Sequence, residues 1–279
     1  MRFNSPLRYP GGKGRLLALF KSIFEQNALI GCNYVEPFAG GCGLALSLLF
    51  CGYVCRIHIN NINRSLYAFW KSILDYTEDM CRLINDTPVN VEEWERQKNI
   101  QTREDLSILE LGFSTFFLNR TNRSGILSAG IIGGKKQLGK WKIDARYNKN
   151  NLIERIKRIA SSKGKISVYN MDALDFLKTH KFSSDTLIYL DPPYYIKGQN
   201  LYDNFYEAED HVDLAHFVQQ LIPKWIVSYD DVFPIRQLYG NYKSITYNLN
   251  YFASSCYKGS EFMVFSHNLK LPRKDVCFI

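Results

Sequence analysis

The sequence lacks long apolar runs. Its 279 residues are 46% hydrophobic, but the longest apolar stretch, 44–54, is broken by serine, glycine and cysteine well short of the roughly 20 residues that cross a bilayer. The first ten residues contain two arginines and no apolar segment of the signal-peptide kind. These features exclude a membrane bundle. We expect a cytoplasmic protein without a membrane partner.

Cysteine is sparse and is not arranged as a metal site. There are seven cysteines, none in a Cys-x-x-Cys pair, and the closest two, Cys51 and Cys55, have no histidine cluster nearby. Structural zinc sites need four such ligands. The sequence therefore predicts reduced, mostly buried thiols and no metal.

Acidic residues are fewer than basic residues. Thirty-five lysines and arginines stand against 27 acidic residues, which gives a formal net charge of +8. A basic balance of this kind favours an acidic polymer as partner, and the 14% of aromatic residues offer faces on which bases can stack. Composition alone leaves nucleic-acid binding as one of several possibilities.

Apolar runs of strand length alternate with helical patterns, which is typical of an α/β fold. Strands are predicted at 34–38, 54–59, 166–169, 186–190, 225–229, 244–248 and 262–265, the last two pairing as an antiparallel hairpin. Between residues 75 and 165 the pattern changes to charged helical segments, at 91–101, 104–117 and 151–160, around a Gly/Ser/Lys-rich stretch. We interpret 75–165 as an inserted, mainly helical subdomain and 1–74 with 166–279 as the main domain.

A glycine turn follows the first predicted strand. Gly40, Gly41 and Gly43 separate the strand from a helix, an arrangement that lets a ligand approach backbone N–H groups. It matches neither the GxGxxG fingerprint nor a P-loop. The turn therefore indicates either a nucleoside cofactor or ordinary tight packing.

The sequence Asp191-Pro192-Pro193-Tyr194 directly follows an apolar strand. Open α/β sheets bind their ligands at this end of their strands. The Asp191 carboxylate and the Pro192 carbonyl are adjacent acceptors, which suits the N–H donors of an exocyclic amine. The Tyr194 ring offers a stacking face for a planar base. A purely structural turn would leave Asp191 unexplained.

Three motifs taken together resemble the Dam-like (D12 class) DNA adenine-N6 methyltransferases. They are 6–13 (PLRYPGGK), 36–43 (EPFAGGCG) and 191–194 (DPPY), in the order of that family. The resemblance implies a class I (Rossmann-like) methyltransferase sheet. It also implies that the inserted subdomain, 75–165, is the target-recognition, DNA-binding part.

The resemblance implies S-adenosylmethionine as cofactor and assigns it residues. The predicted cofactor contacts are Tyr9, Gly12, Lys13, Phe38, Gly40, Gly43, Asn61, Asp172 and Asp191. For Asp172, capping of the helix that follows is an equally open interpretation. Asn61 departs from the family, which usually has an acidic residue there to bind the ribose hydroxyls, and we expect weaker cofactor binding as a result.

The resemblance further implies that the chain methylates N6 of an adenine flipped out of duplex DNA. Asp191, Pro192, Pro193 and Tyr194 are the predicted catalytic residues. Predicted DNA contacts are Arg120, Asn122, Arg123, Lys135, Lys136 and Lys197, the last in a loop, 195–209, that either closes over the base or is an ordinary surface loop. Restriction–modification or phage biology is the expected setting, with a cognate restriction or defence component as a possible partner.

Two alternatives stay open. One is a DNA-binding subunit that has lost turnover, for which Asn61 is the only indication. The other is methylation of a different exocyclic amine, cytosine N4 or an RNA base, which the same four-residue motif could serve.

Overall fold

The computed structural model describes residues 4–196, 206–252 and 256–273; the side chains of 248–252 and 256–259 are outside this description. Its α-helices are α1 (Leu17–Gln26), α2 (Gly43–Phe50), α3 (Arg64–Asp75), α4 (Thr77–Asp86), α5 (Val91–Ile100), α6 (Ile108–Thr121), α7 (Lys149–Ala160), α8 (Ala173–Thr179), α9 (Ala208–Gln219) and α10 (Phe233–Leu238). Its strands are β1 (Cys32–Glu36), β2 (Val54–Asn60), β3 (Ile166–Tyr169), β4 (Thr186–Leu190), β5 (Lys224–Asp230), β6 (Lys243–Phe252) and β7 (Cys256–Phe265). The chain forms two compact units. The first comprises Met1–Gly12, Gly40–Gly43 and Asn63–Asn170, and the second comprises Lys13–Ala39, Leu44–Ile62 and Met171–Ile279.

The mixed α/β fold predicted from the sequence is confirmed. The strands form a seven-stranded sheet, six of whose members lie in the second unit in the order β2-β1-β4-β5-β7-β6. β1 pairs in parallel with both β2 and β4, and β4 pairs in parallel with β5. β7 runs antiparallel to β5 and to β6, as the hairpin prediction required.

The position of β1 determines where the sheet can bind a ligand. The chain leaves β1 for β2 on one side and has β4 on the other, so strand order reverses there. Parallel sheets bind ligands beyond the carboxyl ends of the strands at such a reversal. Every residue of β4 is buried, so packing holds the position of the residue that follows this strand. The residues that follow β1, β4 and β5 therefore border the position where such a sheet binds its ligand.

The second unit has an aromatic core against one face of β1 and β4. Phe20 of α1 contacts the ring of Tyr189 edge-on, with ring centroids 4.9 Å apart, and also contacts Tyr34. Edge-to-face aromatic pairs add about 0.5–1.5 kcal/mol to the gain from burial. These contacts support the strands whose ends carry the polar residues.

The first unit is built around α6. A capping box between Ser107 and Glu110 starts this helix at Ile108, so the helix predicted at 104–117 begins later than the pattern indicated. Glu104 and Asp105 precede the cap and lie outside the helix. The elements between Thr77 and Lys165 are helical, apart from an isolated bridge between Asn122 and Ile131.

Gly112 sets the distance between α6 and α3. A Cβ at this position would lie 2.2 Å from Ser72 Oγ and 2.6 Å from the Ala68 carbonyl. Gly112→Ala is expected to lower the free energy of unfolding by about 1–3 kcal/mol, because the helices must separate. Gly164→Ala is the control, since a Cβ there meets nothing within 4 Å, and its effect should stay within about 0.5 kcal/mol. Urea denaturation measures both, and equal effects would contradict the packing account.

Within the described part of the chain, none of the helices is both long and apolar enough to cross a membrane. The described cysteines are free, and Cys32, Cys42 and Cys81 are buried whereas Cys51 and Cys55 are exposed.

Candidate active site at the strand ends

Asp191 lies immediately after β4, in the middle of the second unit's sheet. Its Oδ1 accepts a hydrogen bond from Ser228 Oγ at 2.9 Å and faces Lys13 Nζ at 3.2 Å. Among the residues that the structure describes, none donates to Oδ2. The side chain keeps 23% of its exposure. One oxygen is thus held by the protein and the other can accept from a ligand.

The protonation of Asp191 is finely balanced. Burial raises the pKa of Asp191 to about 6, although Lys13 acts in the opposite direction and Glu261 adds to the rise. A buried carboxylate is disfavoured as an anion unless it is paired. Above this pKa Asp191 is a carboxylate, and both of its oxygens can accept hydrogen bonds from N–H donors.

Lys13 is buried and is surrounded by acceptors. Its ammonium lies 3.0 Å from each oxygen of Glu261 and 2.5 Å from the Tyr194 hydroxyl. Burial by itself would lower the pKa of Lys13, but the adjacent carboxylates of Asp191 and Glu261 prevail and raise it. Lys13 therefore remains an ammonium that joins the two carboxylates.

Glu261, on β7, is a member of this cluster that sequence reasoning missed. It is fully buried and accepts from the hydroxyls of both Tyr194 and Tyr247 as well as from Lys13. It lies opposite Tyr247 on β6 and opposite Asp230 on β5. The available signal was a glutamate directly before the apolar run 262–265, because an unpaired charge would not be buried beside such a run.

Asp230 fixes the backbone that leaves the DPPY sequence. The carboxylate is buried at the end of β5 and accepts from the amides of Tyr195 at 2.9 Å and Ile196 at 3.1 Å. Two backbone donors at the start of a loop are thereby satisfied. The predicted DNA contact Lys197 and the next residues up to 205 lie outside the described residues, so the loop prediction stays untested.

An aromatic group forms on the same side of the second unit. Tyr206 contacts Phe38 and His211, with ring centroids 5.8 Å and 5.4 Å apart. Tyr195 also contacts His211, whose Nδ1 lies 3.1 Å from the Tyr229 hydroxyl. Burial raises the pKa of Tyr206, and the negative charge of Asp172 adds to the rise. Phe38 and Asp172, two predicted cofactor contacts, are thus both neighbours of Tyr206.

Asp172 caps α8. Its Oδ1 accepts from the amides of Leu174 at 2.8 Å and Asp175 at 3.2 Å. The capping interpretation, left open by the sequence, describes the observed geometry. It leaves Oδ2 for a second acceptor role, so contact with a cofactor amine stays a prediction.

Asn60 and Asn61 follow each other at the end of β2, and both are buried. The Asn60 amide donates to the carbonyls of Pro37 at 3.1 Å and Met171 at 3.0 Å, and its oxygen accepts from the Met171 amide at 3.0 Å. Asn60 therefore ties the exits of β1 and β2 to the segment before α8. Asn61, the next residue, is the position where the sequence resemblance implies an acidic residue, and its contact with a cofactor stays a prediction.

A third buried carboxylate lies at the end of β1. Glu36 accepts from the Tyr34 hydroxyl at 3.0 Å, and burial raises its pKa to about 8, with Asp191 adding to the rise. At neutral pH Glu36 therefore carries a proton, and the carboxylates of Asp191 and Glu261 share the buried ammonium of Lys13. The cluster favours a cationic ligand, because added positive charge would offset the excess of carboxylates.

The glycine turn belongs to the first unit and packs on Tyr9. Gly40 has a φ of +49°, and a Cβ there would lie 2.6 Å from the Tyr9 ring. A Cβ at Gly41 would come within 2.7 Å of the Tyr9 Cβ, and Trp70 Nε1 donates to the Gly40 carbonyl at 3.2 Å. Close packing on Tyr9 is thus one reason for glycine here. Cofactor contacts by Tyr9, Gly12, Gly40 and Gly43 stay predictions.

The predicted DNA contacts in the first unit differ widely in exposure. Asn122 is fully buried: its oxygen accepts from Trp94 Nε1, and its amide donates to the carbonyls of Ile126 and Leu127. This geometry is that of a structural residue, because a base contact would require those bonds to break. Base contact by Asn122 therefore stays a prediction that its position does not support.

The basic residues of this set are more accessible. Arg120 donates to the carbonyls of Arg146 and Pro6. Burial lowers the pKa of Arg120 to about 9, and the positive charge of Arg8 also acts to lower it. Arg123 and Lys136 are exposed, and Lys135 forms an exposed ion pair with Glu95 at 2.9 Å. Exposed basic side chains suit phosphate contacts, and these assignments stay predictions.

The chain was compared with known proteins. No curated protein sequence matches the chain significantly. Among solved structures, a Pyrococcus horikoshii protein named as a "putative RNA methyltransferase" is 10% identical with a TM-score of 0.45, over 93% of this chain and 84% of its own. An Escherichia coli "putative methyltransferase" is 13% identical with a TM-score of 0.37, over 93% of this chain and 91% of its own. Likenesses this weak carry no argument.

The family comparison is more informative. The family model described as D12 class N6 adenine-specific DNA methyltransferase matches residues 9–251, which is well over half of the chain. The match includes Lys13 and the DPPY sequence around which the described cluster is built. The chain belongs to the D12 class N6 adenine-specific DNA methyltransferase family.

Proposed function

We propose that this protein transfers a methyl group from S-adenosylmethionine to N6 of an adenine flipped out of duplex DNA. The observation that carries the proposal is Asp191, which follows a central strand with Oδ1 held by Ser228 and Lys13 and with Oδ2 left for an N–H donor. Membership of the family supports adenine in DNA as the substrate.

The residues of the cluster suit the cofactor. When bound, S-adenosylmethionine supplies an electrophilic methyl group on a positively charged sulfur, and this sulfur is the leaving group of the transfer. The excess of buried carboxylates over Lys13 favours that charge. Phe38, Asn61 and Asp172 would hold the nucleoside part, through a ring face, an amide and a carboxylate oxygen respectively.

Asp191 and Pro192 would act on the attacking nitrogen. The N6 lone pair of adenine is delocalised into the ring, which makes it a weak nucleophile. By accepting hydrogen bonds from the two N6–H groups, the Asp191 carboxylate and the Pro192 carbonyl would localise that lone pair toward the methyl group. As the bond from N6 to the methyl carbon forms, the bond from that carbon to sulfur breaks, and N6 then releases one of its two protons. Positioning and electrostatic stabilisation then provide most of the rate enhancement. The Tyr194 ring would stack on the base, a contact worth about 1–3 kcal/mol.

Incubation with S-adenosylmethionine and unmethylated duplex DNA, followed by modification-sensitive sequencing, tests the proposal. N6-methyladenine in a defined short sequence is the expected product. RNA and duplexes whose only candidate amine is cytosine N4 serve as competing substrates. Methylation of either in preference to adenine would reassign the acceptor. Salt-dependent DNA binding without any modified base would instead indicate a subunit that has lost turnover.

Asn61→Asp is expected to tighten S-adenosylmethionine binding by about fivefold, because a charged acceptor makes a hydrogen bond worth roughly 1 kcal/mol more than a neutral one. Isothermal titration calorimetry measures the change. Asn60→Asp is the matched control: its carboxylate would face the carbonyls of Pro37 and Met171 that now accept from the amide, so it should destabilise the fold and bring no gain in binding. An unchanged or weaker dissociation constant for Asn61→Asp would place the ribose contact elsewhere.

A further inference from the structure

The cluster contains a fully buried carboxylate whose role the proposed chemistry does not use. Glu261 accepts from the Tyr194 hydroxyl, the Tyr247 hydroxyl and the Lys13 ammonium. Burial of a carboxylate is costly unless its oxygens are matched by good donors. Here both oxygens are engaged, and the donors come from three separate parts of the second unit.

Two of these donors also belong to the methyl-transfer site. Lys13 contacts Asp191 Oδ1 at 3.2 Å while it contacts both oxygens of Glu261. Tyr194 is held at its hydroxyl by Lys13 and Glu261 together. A tyrosine fixed at the far end of its ring has little freedom to tilt. Glu261 thus limits the movement of the two side chains that border Asp191.

We propose that Glu261 is a positioning residue of the methyl-transfer site, which holds the Tyr194 ring where the target base stacks and holds Lys13 against Asp191. The inference rests on the proposed function and deepens it. It places the position of the base partly under the control of β7, a strand outside the three family motifs. Tyr247 completes the arrangement by donating to the second oxygen of Glu261.

The charges around Asp191 give the inference a distinct readout. Asp191 faces the charge of Lys13 from the N-terminal segment, that of Glu261 from β7 and that of Glu36 from β1, with the hydroxyls of Ser228 on β5 and Tyr189 on β4. Removing the negative charge at 261 takes a like charge away from Asp191 and leaves Asp191 as the carboxylate paired with Lys13. Both changes favour the Asp191 carboxylate and lower its pKa.

Three variants in the full chain separate geometry from charge. Glu261→Gln is expected to lower kcat by about 10–100-fold, as small misplacements of a reacting group do, and to move the acid limb of the pH–rate profile to lower pH. Glu261→Asp keeps the charge but has a shorter reach, so it should lower kcat with the limb unmoved. Glu78→Gln, at an exposed position on α4, is the control and should match wild type. Rates are taken per folded molecule, from thermal unfolding in parallel.

Wild-type kcat with an unmoved acid limb in Glu261→Gln would overturn the inference, as would a loss of stability without a loss of kcat per folded molecule. Crystal structures of wild type and Glu261→Gln supply a readout independent of turnover. A displaced Tyr194 ring supports the inference and an unmoved ring overturns it. If wild type methylates no adenine, the proposed function fails and the ring position alone decides this inference.

Discussion

Replacement of Asp191 by alanine is expected to lower kcat for adenine methylation by about 10²–10³-fold, the loss typical of removing one aligned hydrogen-bonding group from a reacting centre. The affinity for duplex DNA should change by less than about threefold, because in the proposed complex the side chain would contact the base and not the phosphates that dominate binding. Asp191→Asn keeps the shape and removes the charge, and it should be impaired to a similar degree. Single-turnover rates and DNA-binding titrations measure the two quantities. Residual activity within tenfold of wild type would contradict the role of Asp191.

The same residue predicts a pH dependence whose sign differs between activity and stability. Burial raises the Asp191 pKa from 3.8 to about 6, so activity should fall as pH drops through about 6 and the carboxylate takes up a proton. Between pH 3.8 and 6 the folded chain binds a proton at Asp191 more readily than the unfolded chain does. This residue therefore favours folding more as pH falls through that window. Asp191→Asn removes the stability effect, and comparison of its unfolding curves with those of wild type at pH 5 and pH 7 isolates it; the pH–rate profile of wild type measures the effect on activity.

Lys13→Met is expected to cost about 3–5 kcal/mol of stability, because it leaves Asp191 and Glu261 buried without their shared cation. Activity per folded molecule should also fall, since Asp191 loses a partner and its pKa rises further. Urea denaturation and the pH–rate profile measure these effects. The acid limb should move to higher pH, opposite to the shift expected for Glu261→Gln.

Lys71→Met is the matched control for this variant. Lys71 pairs with Asp75 at 2.7 Å, but both side chains are largely open to solvent, at 34% and 46% exposure. Such a pair contributes about 0–1 kcal/mol. Comparable losses for Lys13→Met and Lys71→Met would show that the Lys13 cluster is solvated and does not act as a buried network.

The sequence was sufficient to predict the sheet and the position of Asp191 on it. Apolar runs such as 186–190 predict strands because a parallel sheet is buried on both faces. A polar residue directly after such a run must lie at the carboxyl end of that strand. Glu261 could not be assigned in this way. Its partner Lys13 lies 248 residues away and is brought to it by tertiary packing, about which a local sequence pattern contains no information.

Exposure was equally hard to infer from residue type. Asn122 has the side chain that reads adenine edges, and the sequence placed it among other polar residues. In the structure it satisfies Trp94 and two backbone carbonyls inside the first unit. Asparagine suits both tasks because its amide is donor and acceptor at once, so residue type alone does not separate recognition from internal hydrogen bonding.

The Lys13–Glu261 pair has a consequence for the order of folding. It joins residues 248 apart in sequence, and closing so long a loop is entropically unfavourable until intervening structure has shortened it. Contacts of this range slow folding and form late. The charges around Asp191 are therefore balanced only after the antiparallel hairpin β6–β7 has joined the parallel strands. A chain still emerging during synthesis holds the DPPY sequence long before it holds a complete site, because the site needs β7 in place.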